Sequence, residues 1–478
     1  MQQKSRSSKP ARQQVRSNRC ITPKPVEKPP HRLRRPGVFL KQFAQRLSPR
    51  QLGGILRQLG PRKGGQPKIG AFLFIAMLVF HALQPKGTYS AHCRQLTGVK
   101  LSGAAIARRR QRLGWRVFES ILNAVLRVRA SLRHHPHAFY KGFLLVGIDG
   151  TLFSVFNTPA VCRQLAKARS RRGSAAFAQI RACLLVELGL HNPLALAVGK
   201  NHISEITLAH QLIGHIPPHS LLLADRLYGH GRFLAALLRR FIKNKSDFLI
   251  RVKSSLTSRL IKKLPDGSML IEIQGRDDDG QKFDFLVREI RGVIRGRGQH
   301  RTVVRLWTSL LEYGEHPAIE LLRLYAQRWE QEITFKELKV EMRHAALLNS
   351  YTPLTAQQEI AAFVIAQAML VDWRLRAGEY LGVNMLRVSF VMLLTWVRSL
   401  WSTLTLFEGI VSLSPRQEGQ VAERLFDLLG DSRTPPRRHR SCPRAVRQPV
   451  SSWPRLMRNQ SFRGEFHFKV IRKYHSKG

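Results

Sequence analysis

Apolar positions recur at helical pitch through residues 38–47, 49–59, 69–83, 89–96 and 102–132, and so predict an all-helical N-terminal region over 37–135. Near residue 141 the period changes. Residues 143–148 form one apolar run of strand length, the pattern of a central strand covered on both faces, and it ends in Asp149-Gly-Thr. A hairpin is predicted from 180–190 and 194–198 across His191-Asn-Pro193, followed by a helix over 204–213. Residues 221–224 read as a short buried strand closed by Asp225-Arg-Leu-Tyr-Gly229, with a helix at about 230–243 and a strand at 248–253. Short alternating runs at 270–273, 283–287 and 302–307, punctuated by Pro265-Asp-Gly267 and Asp279-Gly280, predict a β-rich insertion over 255–312. A long helix over 317–345, a second over 356–376 and a last helical segment to about 430 complete the catalytic-sized region 136–430. Strands alternating with helices make the fold class α/β.

The 478 residues are enough for two or three domains. Charge narrows the partners. There are 80 Lys and Arg against 30 Asp and Glu, a net charge of +50, and a pI near 11.5. Such an excess suits a polyanion, with nucleic acid the leading partner. Residues 1–36 and 431–478 are expected to be disordered basic tails. The tails carry +10 over 1–36 and +12 over 433–478, which leaves +28 for the body. Five widely spaced cysteines make no zinc pattern and are read as reduced thiols of a cytoplasmic protein. The N-terminus lacks the apolar core of a secretory signal. Two apolar runs, 71–83 and 388–407, are too short or too interrupted to span a membrane and are expected to be buried helices.

Three groups of residues carry candidate chemistry. The first is Tyr325-Ala-Gln-Arg328-Trp329-Glu-Gln-Glu332, continued by Phe335-Lys336-Glu-Leu-Lys339. At about 100° per residue, Tyr325, Arg328, Glu332 and Lys339 fall within roughly 60° of one another, so a single helix would stack phenol, guanidinium, carboxylate and ammonium on one stripe. The same spacing also suits a solvated face laced by Arg328 to Glu332 and Glu332 to Lys336 pairs. The second group is Asp149 and Asp225, each expected at the end of an apolar strand. A hairpin turn at Asp149-Gly150, or a helix cap at Asp225, would account for either acid separately. Together, Asp149, Asp225 and Glu332 supply the oxygen ligands that hard divalent cations require. The third group lies between Ser90 and Arg112, which reads as two helices about a turn at Gly98. This arrangement resembles a helix-turn-helix, with Arg108, Arg109, Arg110 and Arg112 on the exposed side of its second helix, and an ordinary helical hairpin with a charged face accounts for the pattern equally well.

These motifs jointly resemble a DDE transposase of a bacterial insertion sequence, of the insertion-sequence-four type marked by a Tyr-Arg-Glu-Lys signature. The resemblance covers about 140–375 and rests on Asp149-Gly-Thr, Asp225-Arg226 with Tyr228-Gly229, and Tyr325, Arg328, Glu332 and Lys339 at every signature spacing. It implies a ribonuclease H-like catalytic core, interrupted between Asp225 and Glu332 by the β-rich insertion. It also implies Mg²⁺ or Mn²⁺ held by Asp149, Asp225 and Glu332, binding of double-stranded DNA at terminal inverted repeats and at a target, and a homodimer on paired ends. Tyr325, Arg328 and Lys339 match positions that contact DNA phosphate, and Arg226 is a plausible addition. Lys336 on the same helix, with Arg251 and Lys253 on one strand face, are further candidates to track the DNA backbone, and a merely solvated face accounts equally for the strand pair. Two residues depart from the usual motif: Leu227 in the second, and Gln331 in place of an aliphatic residue before Glu332. Trp329 and Trp307 are candidates to stack on an unpaired base, or else core residues. The expected reaction is metal-assisted strand cleavage and transfer, in a cytoplasmic protein associated with the nucleoid and with no membrane role. A non-catalytic basic nucleic-acid binder and a ribonuclease H-like nuclease without strand transfer are the alternatives.

Overall fold

The computed structural model describes residues 38–60, 67–84, 86–165, 167–170, 173–200, 203–229, 231–276, 280–294, 302–343, 347–406 and 414–435. The expected basic tails therefore lie outside the described residues, apart from 431–435, as do Cys20 and Cys442. The helical region opens with α1 (Val38–Arg46), α2 (Pro49–Gln58), α3 (Ala71–Leu83), α4 (Tyr89–Thr97) and α5 (Gly103–Val125). Ser48, Thr88 and Ser102 cap α2, α4 and α5 by accepting backbone N–H bonds with their hydroxyls. Gly98 closes α4 in the left-handed region at φ 68°, the turn its sequence position predicted.

Helix α5 stops seven residues short of the expected Leu132. The cause lies downstream: the Arg129 and Ala130 amides leave the helical path to donate to the buried Glu187 carboxylate at 3.0 and 2.9 Å. A second departure concerns the arginines of α5. Arg110 does not face solvent. It is buried, donates to Gln358 and Ser350 at 3.3 and 3.1 Å and to the Thr355 carbonyl, and lies over the Tyr89 ring. Arg109 donates to the Ile69 carbonyl at 2.7 Å and covers the Phe74 ring. Only Arg108 and Arg112 of the expected four stand exposed.

The chain then enters a mixed sheet through β1 (Phe139–Tyr140) and β2 (Phe143–Val155), with α6 (Pro159–Gln164) following. Next come β3 (Lys167–Ser170), β4 (Gly173–Glu187), β5 (Asn192–Lys200), α7 (Glu205–Leu212), β6 (Ser220–Ala224), α8 (Gly231–Asn244) and β7 (Asp247–Arg251). Strands β2 and β4 pair antiparallel from Val146↔Glu187 to Val155↔Ala178, β5 flanks β4, and β6 and β7 run parallel to β2. The spatial order is thus β5-β4-β2-β6-β7, with α7 and α8 as the connections on either side of β6. The β-rich insertion consists of β8 (Arg259–Lys263), β9 (Met269–Arg276), β10 (Lys282–Ile294) and β11 (Thr302–Thr308). It extends the same sheet, because β11 pairs with β7 at Leu306↔Arg251.

Alternation along the strands separates two faces. Leu144, Val146 and Ile148 of β2, Leu222 and Ala224 of β6, and Phe248 and Ile250 of β7 pack with Leu208, Phe233 and Leu237 of α7 and α8. Leu145, Leu221, Leu223 and Leu249 point the other way. That second face is covered by α9 (Ala318–Tyr325) through Leu321 and Leu324. Both faces are therefore dry, which is why these strands read as unbroken apolar runs.

The expected single helix over 317–345 is segmented. After α9 come a 3₁₀ turn at Ala326–Arg328, α10 (Trp329–Lys336) and a π turn at Glu337–Glu341. Past β12 (Leu347–Leu348), α11 (Pro353–Tyr380) runs through the protein, followed by α12 (Phe390–Leu406) and α13 (Pro415–Gly430). One hydrophobic core joins Phe39, Phe80 and Ile121 of the N-terminal helices to Ile360 and Val364 of α11, Trp401 of α12 and Phe153 of β2. Among the described residues, only α11 is long and apolar enough to cross a membrane, and 89% of its most apolar window is buried inside the protein. The two runs tested by sequence, now α3 and α12, contribute buried faces to that core.

Candidate active site

Asp149 does not end its strand: β2 continues through it to Val155, and Asp149 pairs with Leu184 of β4. A hairpin turn at Asp149-Gly150 is thereby excluded. What ends there is the pairing with β6. The parallel register runs from Leu144↔Ser220 to Gly147↔Leu223, so two residues further on Asp149 stands level with Asp225, just past the last residue of β6. Between β6 and β7 the register ends at Ala224↔Ile250, which brings Arg251 level with Asp225. Adjacent strands lie about 4.8 Å apart, so Asp149, Asp225 and Arg251 form a row across three neighbouring strands. The alternation puts Asp149 on the face of Leu145, the side covered by α9 and α10.

The segmented helix delivers the remaining groups to that row. Tyr325 ends α9 with its hydroxyl bonded to the Ala224 carbonyl at 3.2 Å, one residue before Asp225. The 3₁₀ turn, at about three residues per revolution, sets Arg328 directly above Tyr325. Arg328 bonds Glu332 at 2.9 Å. Lys339, in the π turn, donates to Thr151 Oγ1 at 2.9 Å, two residues beyond Asp149. Gln331, the departure from the aliphatic pattern, is buried and donates to the Leu184 carbonyl at 3.2 Å, tying α10 to the strand residue opposite Asp149. Gly147 lets α10 approach, since a Cβ there would lie 2.7 Å from Gln331 Oε1.

Electrostatics report the same convergence. The Asp149 carboxyl is raised to about 7, chiefly by burial and then by Glu205 and Asp225, with the Gly150 N–H and Arg328 opposing them. Burial likewise raises the Tyr325 phenol, with Arg328, Asp225 and Arg251 all within its field. Asp225 turns Oδ1 back to the Leu227 N–H at 2.7 Å, which fixes the Asp225-Arg-Leu-Tyr turn. Among the described residues, no three His, Cys, Asp or Glu side chains gather closely enough to cage an ion by themselves. Glu332 is paired to Arg328 at this site.

The other expected contacts divide. Arg226 and Lys253 are exposed, and Lys253 lies beyond β7 rather than on it. Lys336 is exposed and pairs with Glu341 at 2.9 Å. Trp329 is 47% exposed, whereas Trp307 is a core residue bonded to Glu289 at 2.8 Å. The Tyr325 hydroxyl is turned inward, to the chain's own backbone. Sequence reasoning missed Glu205, which lies against Gly150, and His191. The His191 ring bonds Glu330 at 2.8 Å and Glu337 at 3.0 Å and so fastens the β4–β5 turn to α10. Arg374 adds a bond to Glu337 at 2.9 Å, and together His191 and Arg374 hold that carboxyl below its usual value against the effect of burial.

Residues 142–369 match the sequence profile described as the transposase DDE domain. The chain thus carries a DDE transposase domain of the kind found in bacterial insertion sequences. It is 24% identical over 365 residues to the transposase InsG for insertion sequence element IS4 of Escherichia coli (strain K12), covering 73% of this chain and 78% of that protein. A weaker structural likeness, at 11% identity and a TM-score of 0.39 over 86% of this chain and 88% of the other, is to the piggyBac transposase synaptic complex with hairpin DNA.

Proposed function

We propose that this chain is a DNA transposase that binds the terminal inverted repeats of its own mobile element, cuts there, and joins the freed 3′ hydroxyl to target DNA. The reaction centre is Asp149, Asp225 and Glu332 on a ribonuclease H-like core. The observation that carries this reading is the register, which sets Asp149 level with Asp225 beneath the segment bearing Arg328 and Glu332. The strand order β5-β4-β2-β6-β7, with the first, fourth and fifth strands of the core parallel, supports the ribonuclease H-like assignment.

The donor set suits a divalent cation: Asp149 and Asp225 stand level on neighbouring strands, Glu332 is carried on the overlying segment by Arg328, and the repulsion from Asp225 that helps raise Asp149 is the kind a cation relieves. Asp149, Asp225 and Glu332 would hold Mg²⁺ or Mn²⁺, with substrate phosphate and water completing a shell that usually takes only one or two carboxylates. The bound ions would supply activation of the attacking oxygen and stabilisation of the leaving one. The chain's own residues do the rest. Arg328, lodged between Tyr325 and Glu332, offers a fixed positive charge to the phosphate oxygens as charge develops there. Lys339 is held by Thr151 at the far side of Asp149. Tyr325 fixes the end of β6 from within, a supporting task rather than a DNA contact. Arg251 continues the row, and the exposed Arg226, Lys253, Lys336, Arg108 and Arg112 are the further cations offered to double-stranded DNA. A homodimer on paired ends, in the cytoplasm at the nucleoid, completes the reading.

The test uses a duplex carrying one end of the DNA element that encodes the chain, Mg²⁺ and a second plasmid. A cut end joined to the plasmid is the expected result. Cutting without joining would make the chain a nuclease, and binding without cutting would make it a passive binder; either contradicts the proposal.

A further inference from the structure

Glu205 begins α7 on the face of the sheet opposite Asp149, and it touches both acid-bearing segments from behind. Its Oε1 accepts from the Gly150 N–H at 3.2 Å, an N–H that also points to Asp149 Oδ1 at 2.8 Å. The same Oε1 accepts from the Tyr228 hydroxyl at 2.8 Å, and Tyr228 lies three residues past Asp225 in the turn that Asp225 itself fixes. Oε2 is paired with Arg181 of β4 at 3.2 Å. Tyr228 is fully buried, so this tether is shielded from competing water. The approach is close enough to dictate the neighbouring residue: a Cβ on Gly150 would lie 2.2 Å from the Glu205 carboxyl carbon.

We propose that Glu205 is a positioning residue that staples the Asp149 strand to the Asp225 turn and so sets the separation of the two carboxylates that face the cation. The proposal rests on the reading of Asp149 and Asp225 as ligands. Register alone fixes the two segments only along the strands. Past Gly147 and Leu223 no ladder hydrogen bonds join β2 to β6, so the distance between the acids across that gap needs another tie. Glu205 provides it through one carboxylate bonded to the residue after Asp149 and to a side chain of the Asp225 turn. The charge of Glu205 also stands behind Asp149, and it is balanced on its own side by Arg181.

The experiment compares full-length wild-type protein with Glu205→Gln, Tyr228→Phe and Asp149→Asn. It measures Mn²⁺ affinity by titration without DNA, and affinity for the end duplex without metal. Glu205→Gln loses the pair with Arg181 and brings an amide among donors, while Tyr228→Phe removes one tether and leaves the fold's packing in place. Both are expected to weaken Mn²⁺ binding by about 10–100-fold, the usual effect of removing a group that orients a ligand, with metal-free DNA affinity unchanged. Should Glu205→Gln fail to fold, Tyr228→Phe carries the test. Mn²⁺ affinity at the wild-type value in the folded variants, with Asp149→Asn abolishing it, would overturn the staple alone. Unchanged Mn²⁺ affinity in Asp149→Asn would overturn the reading of the site beneath it.

Discussion

At the scale of single residues, the acids were visible in the sequence but their setting was not. Asp149 was legible as a carboxylate at the end of an apolar run, whereas its place inside a longer strand depends on pairing with Leu184 of β4, 35 residues away. Glu205 left no signal, since one acid at the start of a short helix resembles an ordinary first-turn charge until the register brings Gly150 beneath it. Gly150→Ala forces a Cβ into that carboxyl, and overpacking of this kind costs about 1–3 kcal/mol. A lowered urea midpoint together with loss of end cleavage is expected. The arginines of α5 show the converse error, because spacing alone does not tell Arg110, inside the core, from Arg108 and Arg112 outside it. Arg110→Ala should lower the melting temperature and leave DNA affinity per folded molecule unchanged. Arg108→Ala with Arg112→Ala should weaken DNA binding, flatten its salt dependence and leave melting unchanged. Two carboxyls also give stability a pH dependence. Burial raises both Asp149 and Glu187 to about 7. A carboxyl raised in the folded state binds more protons there than in the unfolded chain, so its contribution is complete below about pH 4 and is lost as pH rises to about 7. Metal-free protein should therefore melt lower at pH 8 than at pH 5, and Asp149→Asn should flatten part of that slope.

At the scale of elements, helical pitch identified the stripe of Tyr325, Arg328, Glu332 and Lys339, although the segment is not one helix. The 3₁₀ turn and the π turn lie at Arg328 and Lys339, so each change of winding falls where a side chain must be aimed. Periodicity cannot reveal such changes, because the residues keep helical backbone angles through the transition. What holds the segment in place is remote in sequence: Gln331 on β4, and His191 between Glu330 and Glu337. Each nitrogen of the His191 ring lies within hydrogen-bond distance of a carboxylate, Glu330 on one side and Glu337 on the other. His191→Ala removes the partner that these two largely buried groups share, while Glu337 keeps Arg374, and should cost about 1–3 kcal/mol. Chemical denaturation should show that loss, and cleavage should fall more steeply than DNA binding because α10 carries Glu332.

At the scale of the whole molecule, the order of strands and helices was legible because both faces of the sheet are covered, which writes the strands as apolar runs. Two relationships were not. The insertion continues the central sheet through β11 and β7, and the N-terminal helices share one core with α11 and α12. The first depends on pairing between residues more than fifty positions apart and the second on contacts hundreds of positions apart, for which local pattern carries no information. The shared core predicts that unfolding reported from α3 and from α11 coincides in a single transition. The central claim is that Asp149, Asp225 and Glu332 act as one centre on DNA bound elsewhere on a basic surface. Its most direct test is the rate of Mg²⁺-dependent end cleavage by Asp149→Asn, Asp225→Asn and Glu332→Gln, measured beside their affinity for the same duplex. The account predicts that each variant binds like wild type and cuts at least about 100-fold more slowly. Wild-type cleavage by any one of the three would contradict it.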